Sequence, residues 1–386
     1  MASEKGGPVT CGSWIRRPEN SNMVVLGRSA RGDSSTTRSV IEFFSFDPIT
    51  TSLSSSPLFT HVLEEVEGDP VSIAVHPTGD DVVCSTTKGG CKLIELYGGE
   101  SNVKLLAKEL QPLQAVGPQN CLAISVDGSK LATGGEDGHL RILEWPSLRV
   151  ILDEPKAHNV FGIWILVFGK RNYHFPNLTL SFLLPSSLDS EFLVSTSTDG
   201  SARIWKTEDG FPVTTLTRNP DEKIQLCRFS KDGTKPFLFC TVQKGDKSVT
   251  AVWDISTWNK IGFKRLLKKP ASIMSISKDG KYLALASKDG DVCVADVKKM
   301  EIATGVKGYT WIGKVSLSLS LMADLRASLG TVSGFCCVFY IFMQNSDSFW
   351  NFPLGKDQPG APKLKTLFHD SPSSEDQNIW NPFGPS

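Results

Sequence analysis

Apolar and polar positions alternate over short stretches of this chain, most clearly between Ser125 and Trp145. This stretch reads SVDGSKLATGGEDGHLRILEW, with Asp127-Gly128 and Asp137-Gly138 standing ten residues apart. Gly adopts positive φ without a Cβ clash and Asp tolerates it, so each pair predicts a tight turn. Alternation of apolar and polar residues around such turns is typical of half-buried strands. The stretch therefore predicts three short β-strands joined by two tight turns.

The same pattern returns at four other places, so that five copies follow one another at spacings of 43 to 62 residues. The other copies open at His76-Pro77-Thr78-Gly79, Ser187-Leu188-Asp189-Ser190, Ser230-Lys231-Asp232-Gly233 and Ser277-Lys278-Asp279-Gly280. A period of about 40 to 45 residues that closes in Trp-Asp, as at Trp253-Asp254, is typical of WD-repeat β-propellers, in which each repeat supplies a four-stranded blade. We predict an all-β propeller with six recognisable blades and a seventh that is largely missing.

The repeated aspartates are expected to have a structural role. A carboxylate at the start of a tight turn accepts hydrogen bonds from the backbone two residues on, which stabilises the turn. This interpretation covers Asp127, Asp137, Asp199, Asp232, Asp279 and Asp289.

The repeats divide the chain into a disordered N-terminus at 1–10, a propeller at 11–300 and a residual last-blade segment or linker at 301–326. The first blade is expected at 11–48 and the second at 60–98. Between one blade's last strand and the next turn, other blades use 26 to 31 residues, whereas Trp145 to Asp189 takes 44. We therefore expect an insert at 159–187. The ring either closes with six blades or is truncated.

Residues 327–343 form an apolar run of 17 residues without a charge. At ~1.5 Å per residue a helix of this length reaches roughly 25 Å, the lower limit for a transmembrane span. We expect a single transmembrane helix there, and the alternative is a buried pair of strands. Lys314 and Arg326 on the propeller side favour a cytosolic propeller. The tail at 344–386, rich in Pro, Ser and Gly, is then expected to be disordered and lumenal.

Charge and cysteine content narrow the function classes. Lys and Arg together number 41, as do Asp and Glu, so the chain lacks the basic excess of a nucleic-acid binder. The nine cysteines are scattered, which favours a reducing compartment over a disulfide framework. The first ten residues, MASEKGGPVT, have no apolar core, so no cleavable signal peptide is expected.

No catalytic set is recognisable. None of the six histidines has a His, Cys or Glu at metal-ligand spacing, and neither a P-loop nor Gly-x-Ser-x-Gly is present. We therefore predict no catalytic residue, no metal site, no cofactor and no enzyme activity. The polar loop Ser29 to Arg38 is either a solvated hairpin loop or a partner contact, because propeller loops present binding residues on a rigid disc. The candidate contact residues are Arg28, Arg31, Asp33 and Arg38.

Several segments together resemble one family. CGSWIRRP from Cys11, CSTTKGGCKL from Cys84, STSTDGSARIWK from Ser195 and CRFSKDGTKPFLFC from Cys227 resemble the plant phosphate transporter traffic facilitators. These are WD-repeat proteins of the endoplasmic reticulum (ER) membrane, similar to the ER-anchored exchange factor for the Sar-type GTPase that starts COPII coat assembly. The resemblance covers nearly all of 11–300 and fails at 159–187 and at about 302–343.

The resemblance implies an ER-membrane protein that helps phosphate transporters leave the ER, with the transporter as cargo and the Sar-type GTPase or COPII components as further partners. The related exchange factors use a Gly-rich, Asn-containing loop in their first blade. The corresponding stretch, Gly27 to Arg38, has no glycine run and no Asn, so no catalytic residue is carried over. Exchange activity is the alternative function. A soluble WD-repeat scaffold is a third hypothesis, favoured if 327–343 packs as strands.

Overall fold

A computed structural model describes residues 9–306, except 16–22, 31–37, 48–51, 99–103, 115, 159–162, 170–190, 198, 217–220, 231–236, 246, 277–280 and 288–290. The predicted transmembrane helix at 327–343 and the tail at 344–386 lie outside the described residues, as does most of the N-terminal segment 1–10. Of the predicted site residues, Arg31, Asp33, Asp232, Asp279 and Asp289 also lie outside them.

Antiparallel strands, numbered β1 to β25 in chain order, account for almost all regular structure in the described residues. The first sheet holds β1 Val9–Ile15, β2 Met23–Arg28, β3 Val40–Asp47, β4 Ser52–Leu53 and β5 Phe59–Val62. The second holds β6 Pro70–Val75, β7 Asp81–Thr86, β8 Cys91–Tyr97 and β9 Lys104–Glu109. The third holds β10 Gln119–Ile124, β11 Lys130–Gly135, β12 Leu140–Glu144 and β13 Val150–Glu154.

Three further sheets follow with the same order. The fourth holds β14 Ile163–Gly169, β15 Phe192–Ser197, β16 Ala202–Lys206 and β17 Pro212–Thr215. The fifth holds β18 Glu222–Phe229, β19 Phe237–Lys244, β20 Lys247–Asp254 and β21 Lys260–Lys264. The sixth holds β22 Ala271–Ile276, β23 Tyr282–Ser287, β24 Val292–Asp296 and β25 Glu301–Val306.

The sheets are arranged as propeller blades. In the second to sixth sheets the strands pair in chain order, whereas in the first sheet β5 pairs with β3. The first strands contact one another in the series β1, β6, β10, β14, β18 and β22. The first strand of each sheet is therefore the inner one, and the predicted all-β propeller class is confirmed. We call the face that holds the second turn of each blade, such as Asp137-Gly138, the upper face. The face that holds the first turn, such as Asp127-Gly128, is the lower face.

The hydrophobic core lies between neighbouring sheets. Phe192 and Ile204 of the fourth sheet, for example, pack in one buried cluster with Leu238 and Trp253 of the fifth. Other clusters join the first sheet to the second, the second to the third, the third to the fourth and the fifth to the sixth. Because each blade buries its apolar side chains against its neighbours, the propeller depends on consecutive blades.

The turns that the sequence predicted at Ser125 to Trp145 join β10, β11 and β12. Asp127 Oδ1 accepts a hydrogen bond from the backbone N–H of Ser129 at 3.1 Å, and Asp137 Oδ1 accepts one from His139 at 3.0 Å. The following glycines, Gly128 and Gly138, have φ of 74° and 82°.

The blade boundaries differ from the sequence interpretation in several places. Phe59–Val62, expected to open the second blade, pairs with β3 and belongs to the first sheet. Ile163–Gly169, expected to be part of the insert, forms β14 and pairs with β15. A short continuous apolar run is consistent both with a buried strand and with an irregular apolar segment, so periodicity alone did not identify β14.

The C-terminal blade also extends further than expected, because Glu301–Val306 forms β25 and pairs with β24. Within the described ranges the only helical element is the short 3-10 turn Gln111–Leu113, and no helix there is long and apolar enough to span a bilayer.

Candidate partner-binding site at the first blade

The candidate partner loop, Ser29 to Arg38, leaves the upper face between β2 and β3. Gly27 in β2 fits closely, because a Cβ there would lie 2.6 Å from Cys11 Sγ and 2.8 Å from Pro70 Cβ. Thr10 Oγ1 donates to the carbonyl oxygen of Pro70 at 2.6 Å and also lies 3.2 Å from that of Gly27. The strand that feeds the loop is thus packed against the start of the second blade.

Asp69, the residue before β6, holds both ends of the loop. Its Oδ1 accepts a hydrogen bond from Ser39 Oγ at 2.5 Å and one from the backbone N–H of Ala30 at 3.3 Å. Ser39 Oγ also accepts the N–H of Ala30 at 3.1 Å. Bonds to an ionised carboxylate are stronger than neutral ones, so the two ends of the loop are fixed on a side chain of the neighbouring blade.

The support continues into the second blade. Asp69 donates its backbone N–H to Thr87 Oγ1 at 2.9 Å, and its carbonyl oxygen accepts the N–H of Thr87 at 2.9 Å. Lys88, next to Thr87, donates to the carbonyl oxygen of Glu65 at 2.7 Å. The β7–β8 turn and the connection before β6 therefore form a hydrogen-bonded support for the loop.

An ion network lies beside this support. Lys92 pairs with Glu67 and, at 2.9 Å, with Glu109. Burial penalises the charge of Lys92, but its hydrogen bonds to the two carboxylates prevail and its pKa is raised. The pKa of His61 is lowered, first by burial and then by the charge of Lys92. His61 is therefore more readily neutral than an exposed histidine.

The four predicted contact residues differ in what the structure shows of them. Arg28 is largely buried, and its Nε donates to Glu42 Oε2 at 2.6 Å, so Arg28 braces β2 against β3. Arg38 is exposed at the end of the loop. Arg31 and Asp33 lie outside the described residues. Asp69 was missed by sequence reasoning, because it lies 30 residues from Ser39 and no motif connects the two.

A second network, also missed from the sequence, lies at the upper end of the fourth sheet. The His158 ring contacts Asp199 Oδ2 through Nδ1 at 3.2 Å and Ser195 Oγ through Nε2 at 2.8 Å. Trp205 Nε1 donates to the same Ser195 oxygen at 2.8 Å. Burial lowers the pKa of His158, although Asp199 opposes this shift. The network links the connection after β13 to the turn at Asp199-Gly200.

The comparisons with known proteins agree with this architecture. The family model described as "WD domain, G-beta repeat" matches residues 111–143 and 181–206. SEC12-like protein 1 of Arabidopsis thaliana is 52% identical over 413 aligned positions, which cover 98% of each chain. SEC12-like protein 2 of the same plant is 30% identical, over 67% of this chain and 61% of its own length. The guanine nucleotide-exchange factor SEC12 of Rattus norvegicus is 27% identical, over 54% of this chain and 50% of its own.

The chain is thus a WD-repeat propeller protein. It belongs to the SEC12-like family, because a relative of more than half identity is matched over almost its whole length.

Proposed function

We propose that this protein is an accessory protein of the ER membrane that helps phosphate transporters leave the ER, acting by protein–protein contact. The observation that carries the proposal is the β2–β3 loop, which is fixed at both ends by Asp69 and ends in the exposed Arg38. A loop held in this way is presented to a partner with little loss of freedom on binding. The resemblance to the phosphate transporter traffic facilitators supports the choice of cargo.

The alternative is a guanine-nucleotide exchange factor for a Sar-type GTPase. It is supported by similarity to proteins named as exchange factors in rat and mouse, at 27% and 28% identity. The stretch Gly27 to Arg38 lacks the glycine run and the Asn of the related exchange loops. We therefore propose that the GTPase or other COPII components are partners and that the chain does not accelerate nucleotide release.

The proposed topology is a cytosolic propeller with a single anchor at 327–343. Carbonate extraction of microsomes that contain the tagged full chain tests it directly. Retention in the membrane pellet supports the anchor, whereas release into the supernatant would favour the soluble scaffold.

Rescue of transporter traffic tests the function. The full chain is expressed in plant cells that lack their own facilitator, and a fluorescent phosphate transporter is followed. Arrival of the transporter at the plasma membrane supports the proposal. Retention in the ER, with the chain itself folded and membrane-bound, would contradict it. Faster nucleotide release from a Sar-type GTPase in the presence of the purified chain would favour the exchange factor instead.

A further inference from the structure

The upper end of the fifth sheet carries a dense group of cations, which we call the basic rim: Lys244, Lys247, Lys264, Arg265, Lys268 and Lys269. From 244 to 269 the chain holds seven Lys and Arg against two Asp, although the whole chain has no net charge. Such a local excess stands out in a neutral protein and points to an anionic partner.

The fold brings these residues to one edge. Lys244 ends β19 and pairs with Lys247, which begins β20, across the hairpin turn. Lys264 ends β21 and pairs with Thr250 of β20, so the segment after it leaves from the same end of the sheet. Both groups therefore lie on the upper face, on adjacent strands.

The connection from β21 to β22 directs its charges outward. Leu266 is buried in the cluster between the fifth and sixth sheets, and Leu267 packs against it. Arg265, Lys268 and Lys269 are exposed, and Arg265 Nη2 donates to the carbonyl oxygen of Lys268 at 3.1 Å. The backbone is thus held by apolar packing and the cations face solvent.

Nearby acids do not balance the basic rim. Among the described residues Asp221 and Glu222 lie where β18 begins, with Glu222 opposite Lys244, and in the sequence Asp246 stands between Lys244 and Lys247. The other acid of this stretch, Asp254, is at the lower end of β20, where it accepts the N–H of Ser256 at 2.6 Å. Six cations at this end of the fifth sheet therefore outnumber the three acids Asp221, Glu222 and Asp246.

The path of the chain points to the occupant. β25 ends at Val306 on the upper face of the sixth sheet, next to the basic rim, and 20 residues separate Val306 from the apolar run at 327. These residues reach at most about 70 Å when fully extended. An anchor at 327–343 would keep the basic rim close to the bilayer, where weak attractions act at high local concentration.

We propose that the basic rim binds the anionic phospholipid headgroups of the membrane in which the chain is anchored. This inference rests on the proposed membrane association of the chain. Each Lys or Arg near an anionic leaflet strengthens binding about fivefold, and the effect fades within the Debye length of the salt.

Lysine acylation on vesicles tests the basic rim with the full chain. The chain is reconstituted in vesicles of phosphatidylcholine alone or with about a third of phosphatidylserine, and an N-hydroxysuccinimide ester labels the lysines for mass spectrometry. We expect Lys244, Lys247, Lys268 and Lys269 to react about fivefold more slowly on anionic vesicles, with recovery in 0.5 M salt. Lys298 and Lys299, exposed at the lower face, are the internal reference.

Two matched double variants test whether the basic rim itself causes the protection. Lys268→Gln/Lys269→Gln should reduce the protection of Lys244 and Lys247, whereas Lys298→Gln/Lys299→Gln should leave it unchanged. Equal labelling of the rim lysines on both kinds of vesicle would overturn the proposal. Protection by a soluble polyglutamate peptide but not by anionic vesicles would also overturn it and assign the basic rim to an acidic protein.

The labelling test of the basic rim and the rescue test of the proposed function can give different results. If anionic vesicles protect the rim lysines but the chain fails to rescue transporter traffic, lipid binding by the basic rim is supported and the cargo role is not. If the chain rescues transporter traffic but anionic vesicles do not protect the rim lysines, the lipid-binding proposal is wrong and the proposed function is unaffected.

Discussion

The Nδ1 atom of His158 lies 3.2 Å from Oδ2 of Asp199, although 41 residues separate the two in the chain. Both side chains are almost fully buried, and His158 also contacts Ser195 Oγ at 2.8 Å. The contact holds the connection that leads from the third blade to the fourth against the Asp199-Gly200 turn. The contact therefore helps to fix the start of the fourth blade.

Replacing His158 should destabilise the propeller. In His158→Gln the buried Asp199 loses its ring partner and Ser195 loses one of two hydrogen-bond partners, so we expect the free energy of unfolding to fall by about 2 to 3 kcal/mol. Urea unfolding followed by tryptophan fluorescence measures the change. His139→Gln is the matched control, because His139 is partly exposed and its contact with Asp153 contributes less than about 1 kcal/mol. Equal losses in the two variants would contradict this role.

Stability should also depend on pH between about 7 and 5. Burial lowers the pKa of His158 and of His61 in the folded protein, so the unfolded chain binds more protons below its own histidine pKa of about 6.5. The free energy of unfolding is then fully retained above that pH and falls as the pH drops through the window. His158→Gln should flatten the decline, as measured by urea titrations at several pH values. An unchanged slope in the variant would show that other groups cause it.

Local turn chemistry was the part of the fold that could be predicted from the sequence. Asp127-Gly128 and Asp137-Gly138 determine conformation within two residues, so the positions of β10, β11 and β12 follow from the residues themselves. The partners of Asp69 and His158 could not be predicted, because they depend on how separate blades meet. Asp199 lies in a turn of the predicted type, and His158 lies in the connection from the third blade to the fourth. That both segments belong to the upper face was the one signal in the sequence for their contact.

The β14 strand shows why the insert was placed too early in the chain. Ile163–Gly169 is a continuous apolar stretch in the sequence, whereas β11 combines polar, apolar and small residues between two Asp-Gly turns. Periodicity cannot separate such an inner strand from an irregular apolar segment. Only its pairing with β15 identifies it.

Gly128 should be intolerant of any side chain. Its φ of 74° disfavours L-residues, and an added Cβ would overlap the His76 ring, whose Nε2 lies 3.2 Å from the Gly128 carbonyl oxygen. We expect Gly128→Ala to cost about 2 to 3 kcal/mol from backbone strain and crowding together. Gly245→Ala is the control, because Gly245 has a φ of 57° with open space around it and should cost about 1 kcal/mol. Thermal unfolding compares them, and similar costs would rule out the His76 contact as a cause.

Loosening the loop support should reduce function more than stability. In Asp69→Asn the carboxylate that joins Ala30 to Ser39 becomes a neutral amide, which weakens two hydrogen bonds by about 1 kcal/mol in total. We expect transporter delivery in the rescue assay to fall severalfold while the melting temperature drops by only a few degrees. Asp209→Asn at the lower face, where Asp209 accepts the N–H of Phe211 at 3.1 Å, should leave delivery unchanged. Normal delivery by Asp69→Asn would remove the loop from the proposed site.

The buried cysteines should resist alkylation until the propeller unfolds. Burial raises the pKa of Cys91 and Cys293 to about 12, and the pKa of Cys240 is raised by burial and by its contact with Cys227, at 3.1 Å between the sulfurs. At pH 8 a thiol of pKa about 12 is roughly one part in ten thousand thiolate, which is the reactive form. Because Cys91, Cys227, Cys240 and Cys293 are all buried, iodoacetamide labelling read by mass spectrometry should modify none of the four in the native chain and all of them in urea. The partly exposed Cys11 is the internal reference. Native labelling of Cys227 or Cys240 at the rate of free cysteine would show that the fifth blade opens readily.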